Sequence, residues 1–438
     1  MPNRDNATKE AETTARRLLS VLGEGAVEEA ARRCGFLRRR REIAPAALVV
    51  ACISTLGAGA AAWLADILRA FNAFTRKAVR YKPFHNQIRK AEFPVFVRAV
   101  LEALLVKLSA PVLEAVPKQV LTQFEEILIH DGTSFGLKNT LAKQWPGRFT
   151  TKSPAAVELH VTMSVMSDNP VAISLAADKE AERPFAPEAA SLTGRLLLED
   201  RGYEERRFFA EVSATGGFFI VRGTKQVRPT IREARDGSGR RVRHLEGKRL
   251  SWPLLPRYDV ALEIDWMCDS GQIYRGRLVV FYVKGKRNKK TYVYLHTNLS
   301  SKSFCAQDVG LLYRLRWQVE LLFKEWKSHA NLHKFDTGQA AIAEGLIWAS
   351  VLAASLKRTI THSAERAYGI ELSTQRAASS AKHFLEAILD GVLRCARDLT
   401  IALRKAFTFL ADNALRAHPN RDRKTGRLAT GLRHAAVS

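Results

Sequence analysis

At 438 residues, 46% of them hydrophobic, the chain is too long for one ordinary core and too apolar to be globally disordered. Lys and Arg number 69 against 44 Asp and Glu, a net charge of +25. That excess suits a polyanion, nucleic acid first, with a membrane surface the other partner that charge alone allows. Five scattered cysteines without a CxxC pair argue against a zinc site or disulfide framework and fit a reducing cytosol. The opening MPNRDNATKEAETTARR is polar and mixed in charge, unlike a secretory signal.

Residues 1–115 read as a helical region. A helix over about 10–33 leads to the cluster Arg38, Arg39, Arg40 and Arg41, then an apolar segment over 44–71, then the helical pattern FPVFVRAVLEALLVKL. YKPFHNQIRKAEF, with Pro83 inside it and Pro94 directly after it, reads as a connection between helices. With Arg32, Arg33, Arg76, Lys77, Arg80 and Lys82, this block is a candidate DNA-docking module, a solvated charged face being the simpler alternative. Ile43–Ala65 carries no charge and is long enough to cross a bilayer, but its Ala and Gly content, Pro45, Ser54 and Thr55 predict a buried helix. The apolar run Gly345–Leu356 is too short to span.

Over 116–222 the pattern changes to short apolar runs, EEILIHDG, AVELHVTMSV, VAISLAA, RLLLED and GFFIVRG, with a helical YEERRFFAEV between the last two. This predicts an α/β (α+β) fold, a mixed sheet with flanking helices. Residues 223–300 read as a basic β-rich insertion. From 223 to 297 there are 17 Lys+Arg and 7 Asp+Glu, a difference of +10. A hydrophilic stretch, TIREARDGSGRRVRHLEGKR, precedes the strand-like DVALEIDWM, YRGRLVVFYVK and TYVYLHT. A helix over about 306–330 follows, within a segment 301–335, then a helical region over 336–413. The polar tail 414–438 is expected to be disordered.

Two apolar runs end in an acid: EILIHDGTSFG at Asp131 and RLLLEDRGY at Asp200. A strand fixes the backbone while its edge admits solvent and ligand, so both acids are placed to face a site, although a turn-forming Asp after a strand explains either one alone. The helix YRLRWQVELLFKEWK supplies a third, Glu320. At about 100° per residue Tyr313, Arg316, Glu320 and Lys327 fall within roughly 60° of one another. Leu312, Leu315, Val319, Leu322, Phe323 and Trp326 form the apolar stripe beside them. An ordinary amphipathic helix with an Arg316–Glu320 ion pair accounts for this stretch by itself. Three carboxylates from two strands and a helix account for it as catalytic: they would hold two Mg²⁺ for phosphoryl transfer, with Arg316, Lys327 and Tyr313 on flanking phosphates.

The pattern Tyr, two residues, Arg, three residues, Glu, six residues, Lys at Tyr313, Arg316, Glu320 and Lys327, with DGT at Asp131 and DRGY at Asp200, resembles the DDE transposases of the insertion-sequence-four (IS-four) type. The resemblance implies a ribonuclease H-like core, Mg²⁺ dependence with Mn²⁺ able to substitute, and cut-and-paste movement of a DNA element. Asp131, Asp200 and Glu320 would be the catalytic and metal-binding acids, and Tyr313, Arg316 and Lys327 phosphate contacts near the cleaved end. It further implies a hairpin intermediate, joining of 3′-ends to target DNA, end binding by the helical N-terminal region, and a homodimer on DNA with C-terminal contacts. An aromatic from the insertion, Trp252 or Trp266, would hold a flipped base, with a core role for Trp266 the alternative. His130 is expected to face away from the site, and Asp168, Glu199 and Asp265 to be solvated. The expected location is the bacterial cytosol or nucleoid, without membrane association. A structure-specific endonuclease on the same core and a catalytically silent DNA-binding derivative remain the alternatives.

Overall fold

The computed structural model describes residues 4–39, 42–58, 64–108, 113–115, 120–226, 228–267, 271, 273–284, 290–332, 335–424 and 432–434. Helices α1 (Arg4–Leu22), α2 (Glu24–Arg33), α3 (Pro45–Gly57), α4 (Leu64–Thr75), α5 (Tyr81–Ile88) and α6 (Glu92–Leu108) form the N-terminal region. The helix expected over 10–33 is divided at Gly23, whose added Cβ would lie 2.5 Å from the Leu19 carbonyl oxygen. YKPFHNQIRKAEF is not a connection. Pro83 and Pro94 each fall in the first turn of a helix, α5 and α6, where a missing N–H costs nothing. The uncharged run from Ile43 contributes α3, buried along most of its length; residues 59–63 of that run lie outside the described set.

After β1 (Leu113–Ala115), one nine-stranded sheet organises the middle of the chain. β2 (Glu126–Gly136), β3 (Ala156–Ser164) and β4 (Asn169–Ala177) are an antiparallel meander; β5 (Arg195–Glu199) adds parallel to β2. Helix α7 (Arg206–Ala214) then crosses over to β6 (Phe218–Gly223), parallel to β5. This is the mixed sheet with flanking helices expected of a ribonuclease H-like core. β7 (Thr230–Asp236), β8 (Val260–Met267), β9 (Ile273–Lys284) and β10 (Lys290–Thr297) follow. The insertion is not a separate unit: β10 pairs antiparallel with β6, so the order is β4-β3-β2-β5-β6-β10-β9-β8-β7. The hydrophilic stretch that opens it contains the edge strand β7, whose Ile231 and Ala234 are fully buried.

The helix expected over 306–330 is two helices, α8 (Ala306–Arg314) and α9 (Trp317–His329). Between them the backbone tightens to i→i+3 bonds, from Gln318 N to Leu315 O and from Val319 N to Arg316 O. Its apolar stripe is as expected, with Leu312, Leu315, Val319, Leu322, Phe323 and Trp326 all buried. Then come α10 (Ala340–Tyr368), α11 (Thr374–Ser379), α12 (Leu385–Arg394), α13 (Ala396–Asn413), α14 (Pro419–Lys424) and β11 (Leu432–His434). The run Gly345–Leu356, read as too short to span, belongs to the 29-residue α10; 83% of that helix's most apolar window is buried in protein. The tail is not featureless, since α14 forms and β11 pairs with β1.

Helix α10 is the axis of the helical layer, packed by α1, α3, α6 and α13. Gly345 allows the closest approach: a Cβ there would lie 2.3 Å from the Phe93 ring on α6. Helix α1 is fastened to the end of α10, where Asn6 Nδ2 donates to the Arg366 and Ala367 carbonyls and Arg366 pairs with Glu10 at 2.7 Å.

Inside this layer lies a buried charge network. Arg358 of α10 pairs with Glu325 of α9 at 3.0 Å and with Asp168, in the β3–β4 turn, at 2.7 Å. His362 pairs with Asp168 at 3.3 Å and Glu365 at 2.6 Å, and Glu365 accepts the Leu372 N–H at 2.8 Å. Asp168 is therefore not solvated, contrary to its expected role. Burial would push the His362 pKa down, but Asp168 and Glu365 together raise it to about 9. A histidine raised above its ordinary 6.5 contributes stability that is complete below that pH and is lost as pH rises through 9. Unfolding free energy should therefore decline from pH 6.5 to 9, and His362→Gln should flatten the decline in denaturant titrations. Arg358→Ala takes the paired cation from buried Glu325 and leaves Asp168 with His362 alone, and should cost about 3–5 kcal/mol; a loss below about 1 kcal/mol would show the network to be dispensable.

Candidate active site

Pairing of β2 with β5 sets His130 opposite Glu199, so the next residues, Asp131 and Asp200, leave neighbouring parallel strands at the same level. Asp131 is inside β2, and Asp200 precedes a single 3₁₀ turn, Arg201–Tyr203. Helix α9 lies over β2 and brings Glu320 to the same end of the sheet. The tightened turn at 315–316 does not scatter the polar line. Arg316 donates to Asp131 Oδ2 at 2.9 Å and to Glu320 Oε1 at 2.5 Å, while Tyr313 Oη donates to Asp200 Oδ1 at 3.4 Å. Lys327, two turns on, donates to the Ser134 carbonyl of β2 at 3.0 Å and ties the far half of α9 to that strand. All three acids, with Tyr313 and Arg316, thus belong to one cluster, and Lys327 stands two turns farther along α9.

Electrostatics mark the cluster. Burial pushes the Asp131 carboxyl up, Arg316 and the Gly132 N–H pull it back, and repulsion from Asp200 and Glu320 adds to the rise, for a value of about 6. Burial likewise raises Tyr313 and lowers Lys327. Among the described residues no three His, Cys, Asp or Glu side chains stand close enough to enclose an ion unaided; a guanidinium lies between two of the acids. The donor set nevertheless fits a hard divalent cation. It is all carboxylate oxygen, and Asp200 and Glu320 already raise the proton affinity of Asp131, a repulsion that bound positive charge relieves.

Several contributors escaped the sequence reading. Arg222 places its guanidinium 3.8 Å from Asp200; a lone cation inside the apolar run GFFIVRG was the available signal. Beside Glu320, a groove of about 410 Å³ opens between α9 and the C-terminal segments, with Lys324, Arg376, Arg416 and Arg421 in its walls. No local pattern links those positions. His130 faces away from the acids, as expected. It shares the opposite side of the sheet with His160, Tyr203 and Glu199, its Nδ1 lying 2.9 Å from Thr162 Oγ1 and its ring edge-on to Tyr203.

Other expectations need correction or division. Glu199 is fully buried rather than solvated, since its alternating position on β5 turns it to the inner face. Asp265 is held by Arg232 at 2.7 Å. Trp252 is 47% exposed with its ring edge-on to Tyr292, whereas Trp266 is sandwiched by His296 and Arg206. Arg38 and Arg39 are exposed, Arg38 pairing loosely with Glu92 at 3.4 Å. Arg40 and Arg41 lie outside the described residues.

Residues 122–356, more than half of the chain and spanning all three acids, match the family model of the transposase DDE domain. The chain belongs to the DDE transposase family. Relatives of this DDE transposase include the transposase for insertion sequence element IS231C of Bacillus thuringiensis subsp. berliner, 20% identical over 440 residues, 90% of this chain and 89% of that one. The transposase for IS1151 of Clostridium perfringens is 21% identical over 242 residues, 47% and 51% of the two chains. The putative transposase InsL for IS186A of Escherichia coli K12 is 40% identical over 65 residues, 15% and 18%. Among solved structures, a cryo-EM structure of the piggyBac transposase synaptic complex with hairpin DNA aligns over 100% of this chain and 88% of that one, with a TM-score of 0.40 and 10% identity.

The buried Glu199 of the transposase gives a test of the inner face. Burial pushes its carboxyl up, Arg183 offsets part of this, Asp131 adds to it, and the value reaches about 8. A carboxyl raised above its ordinary 4.5 costs stability once ionised, so the loss starts above that pH and grows until about 8. Glu199→Gln should raise unfolding free energy at pH 8 by on the order of 1–4 kcal/mol and leave pH 4.5 unchanged. An equal effect at both pH values would mean that Glu199 is not the titrating group.

Proposed function

We propose that this DDE transposase is of the IS-four type, with Tyr313, Arg316, Glu320 and Lys327 as its signature. It binds the ends of its own insertion sequence, cuts them by Mg²⁺-dependent phosphoryl transfer and joins the 3′-ends to target DNA. The observation that carries this reading is the single cluster of Asp131, Asp200 and Glu320 around Arg316 and Tyr313.

Asp131, Asp200 and Glu320 would hold the divalent cations, which when bound activate the attacking oxygen and stabilise the leaving one. Arg316 orients two of the three carboxylates at once, and its bidentate fork also suits a phosphate. Tyr313 fixes the Asp200 carboxylate, and Lys327 keeps two of its three ammonium donors beyond its bond to Ser134 for the DNA backbone. In this reading the helical region 1–115 engages the transposon ends, with Arg38–Arg41 among its contacts. Segments 116–222 and 301–335 make the catalytic core, 336–413 contributes to a homodimer on DNA, and the protein works in the bacterial cytosol or nucleoid. A hairpin intermediate is part of the proposal. Of the two tryptophans, Trp252 is the one whose exposure leaves a face for a flipped base.

Asp131→Ala, Asp200→Ala and Glu320→Ala should each lower cleavage of a duplex carrying the element's end by at least about a thousandfold, with end binding retained. Joined products separate a transposase from a nuclease on the same core. Cutting that persists without Glu320, or wild-type protein that binds ends and never cuts them, would overturn the reading.

A further inference from the structure

A second polar groove, of about 920 Å³, lies on the β-rich insertion. Its charged lining comprises Arg232, Arg235, Arg275, Arg277 and Lys302 against Glu233 and Glu263, five cations to two carboxylates. The local backbone is shaped for this. β8 and β9 turn Leu262, Ile264, Leu278 and Val280 to an apolar core and Glu263, Asp265, Arg275 and Arg277 to the opposite face. In β7 the pairing slips between Ile231 and Glu233, so Arg232 is the extra residue of a bulge. In a regular strand Arg232 and Glu233 would face opposite ways; here both line the groove.

The carboxylates hold the arginines rather than cancel them. Arg232 Nε sits 2.7 Å from Asp265, Arg275 3.7 Å from the same oxygen, and Arg235 2.5 Å from Glu233. A guanidinium has five donors, and a tether that uses one or two leaves the rest, in a side chain already robbed of much of its rotamer freedom. At the base, Arg277 is 4% exposed and donates to the Phe304 carbonyl at 2.7 Å, while its buried Nε has no hydrogen-bond partner. Arg275 and Lys302 stand exposed at the mouth.

Strand pairing places the groove relative to the acids. Asp200 follows β5 at one end of the sheet; β6, β10 and β9 lead from it to Arg275, which lies toward the other end. Three inter-strand spacings and about four residues of strand put the two roughly 20 Å apart, or roughly six base pairs of duplex. The groove is too far away to share the phosphate held at the carboxylates.

We infer that this groove is a second DNA-backbone site, which grips the phosphates of a duplex segment roughly six base pairs or more from the catalytic acids. The inference rests on the transposase reading for the source of that duplex, the interior of the element's own end or the target DNA. The charge chemistry is the same for both.

The test is made in EDTA, so that binding is read without catalysis. Fluorescence anisotropy would follow the triple variant Arg235→Ala/Arg275→Ala/Lys302→Ala on three duplexes: the outermost ~8 bp of the element's end, its outermost ~40 bp, and ~40 bp of unrelated sequence. Weakening by about tenfold or more on the long end duplex, with little change on the short one and a salt slope reduced by about 2–3, supports the site and assigns it to the element's interior. A matching loss on the unrelated duplex supports it and assigns it to target DNA. Unchanged affinities and slope overturn it. Arg275→Glu, a reversal at a single side chain 72% exposed, repeats the measurement and must also weaken long-duplex binding, with the unfolding midpoint measured beside it to show that the fold is kept. Should the wild type prove unable to cut any end, the transposase reading fails, while these affinities still decide whether the groove binds DNA.

Discussion

Parallel pairing of β2 with β5 is the constraint on which the cluster of Asp131, Asp200 and Glu320 depends. It alone sets Asp131 and Asp200 side by side, and it does so through backbone hydrogen bonds that no side chain can adjust. A slip of one residue would turn Asp131 to the inner face and bring His130 out. The register is guarded on both sides. Ile127, Ile129, Leu196 and Leu198 are fully buried on the helix-covered face, and His130, His160, Tyr203 and Glu199 pack on the other. Polar atoms on that inner face carry a cost, visible in the buried Glu199 oxygens without hydrogen bonds. The register therefore rests on apolar contacts on both faces, Leu128 and Leu197 packing with α7 beside the polar groups that are tolerated there.

Above the strands, the third acid is located by different means. Glu320 rides on a helix with no backbone bond to the sheet, so its position depends on side chains: Arg316 to Asp131, Lys327 to Ser134, and Glu325 to Arg358 on the far side. These three tethers sit at successive points along α9: Arg316 and Lys327 on its polar line, Glu325 buried on the far side. The tightened turn at 315–316 fits this picture. It joins α8 to α9 without a loop, the backbone staying helical across the junction.

Much of the core was legible in the sequence. Asp131 and Asp200 end apolar runs, and a run that stops at an acid can be read without knowing its neighbours. The Tyr-Arg-Glu-Lys line survived an interruption because both halves keep helical dihedrals through Leu315 and Arg316. What could not be read depends on partners far away in the chain. Asp168 looked like a solvated turn residue because Arg358, which buries it, is 190 residues on. Glu199 looked like a second surface acid beside Asp200, since only strand pairing shows which way it points. β7 was hidden because its bulge breaks the alternation by which a strand is recognised. The insertion looked separate because charge, rather than hydrogen bonding, was the visible signal.

That last feature bears on how the protein is synthesised. Because β10 closes onto β6, the open edge of β6 is shielded only after some 70 further residues have been made, and Glu320 arrives later still. The N-terminal helix waits longer, for its partners are α10 and α13. A ribosome part-way along the message therefore carries a chain with two acids, an open sheet edge and no third carboxylate. Such a chain invites chaperone binding, because an open strand edge is a template for pairing. The cluster is complete only once α9 has emerged, and every shortened product of the gene that stops before α9 is born without Glu320.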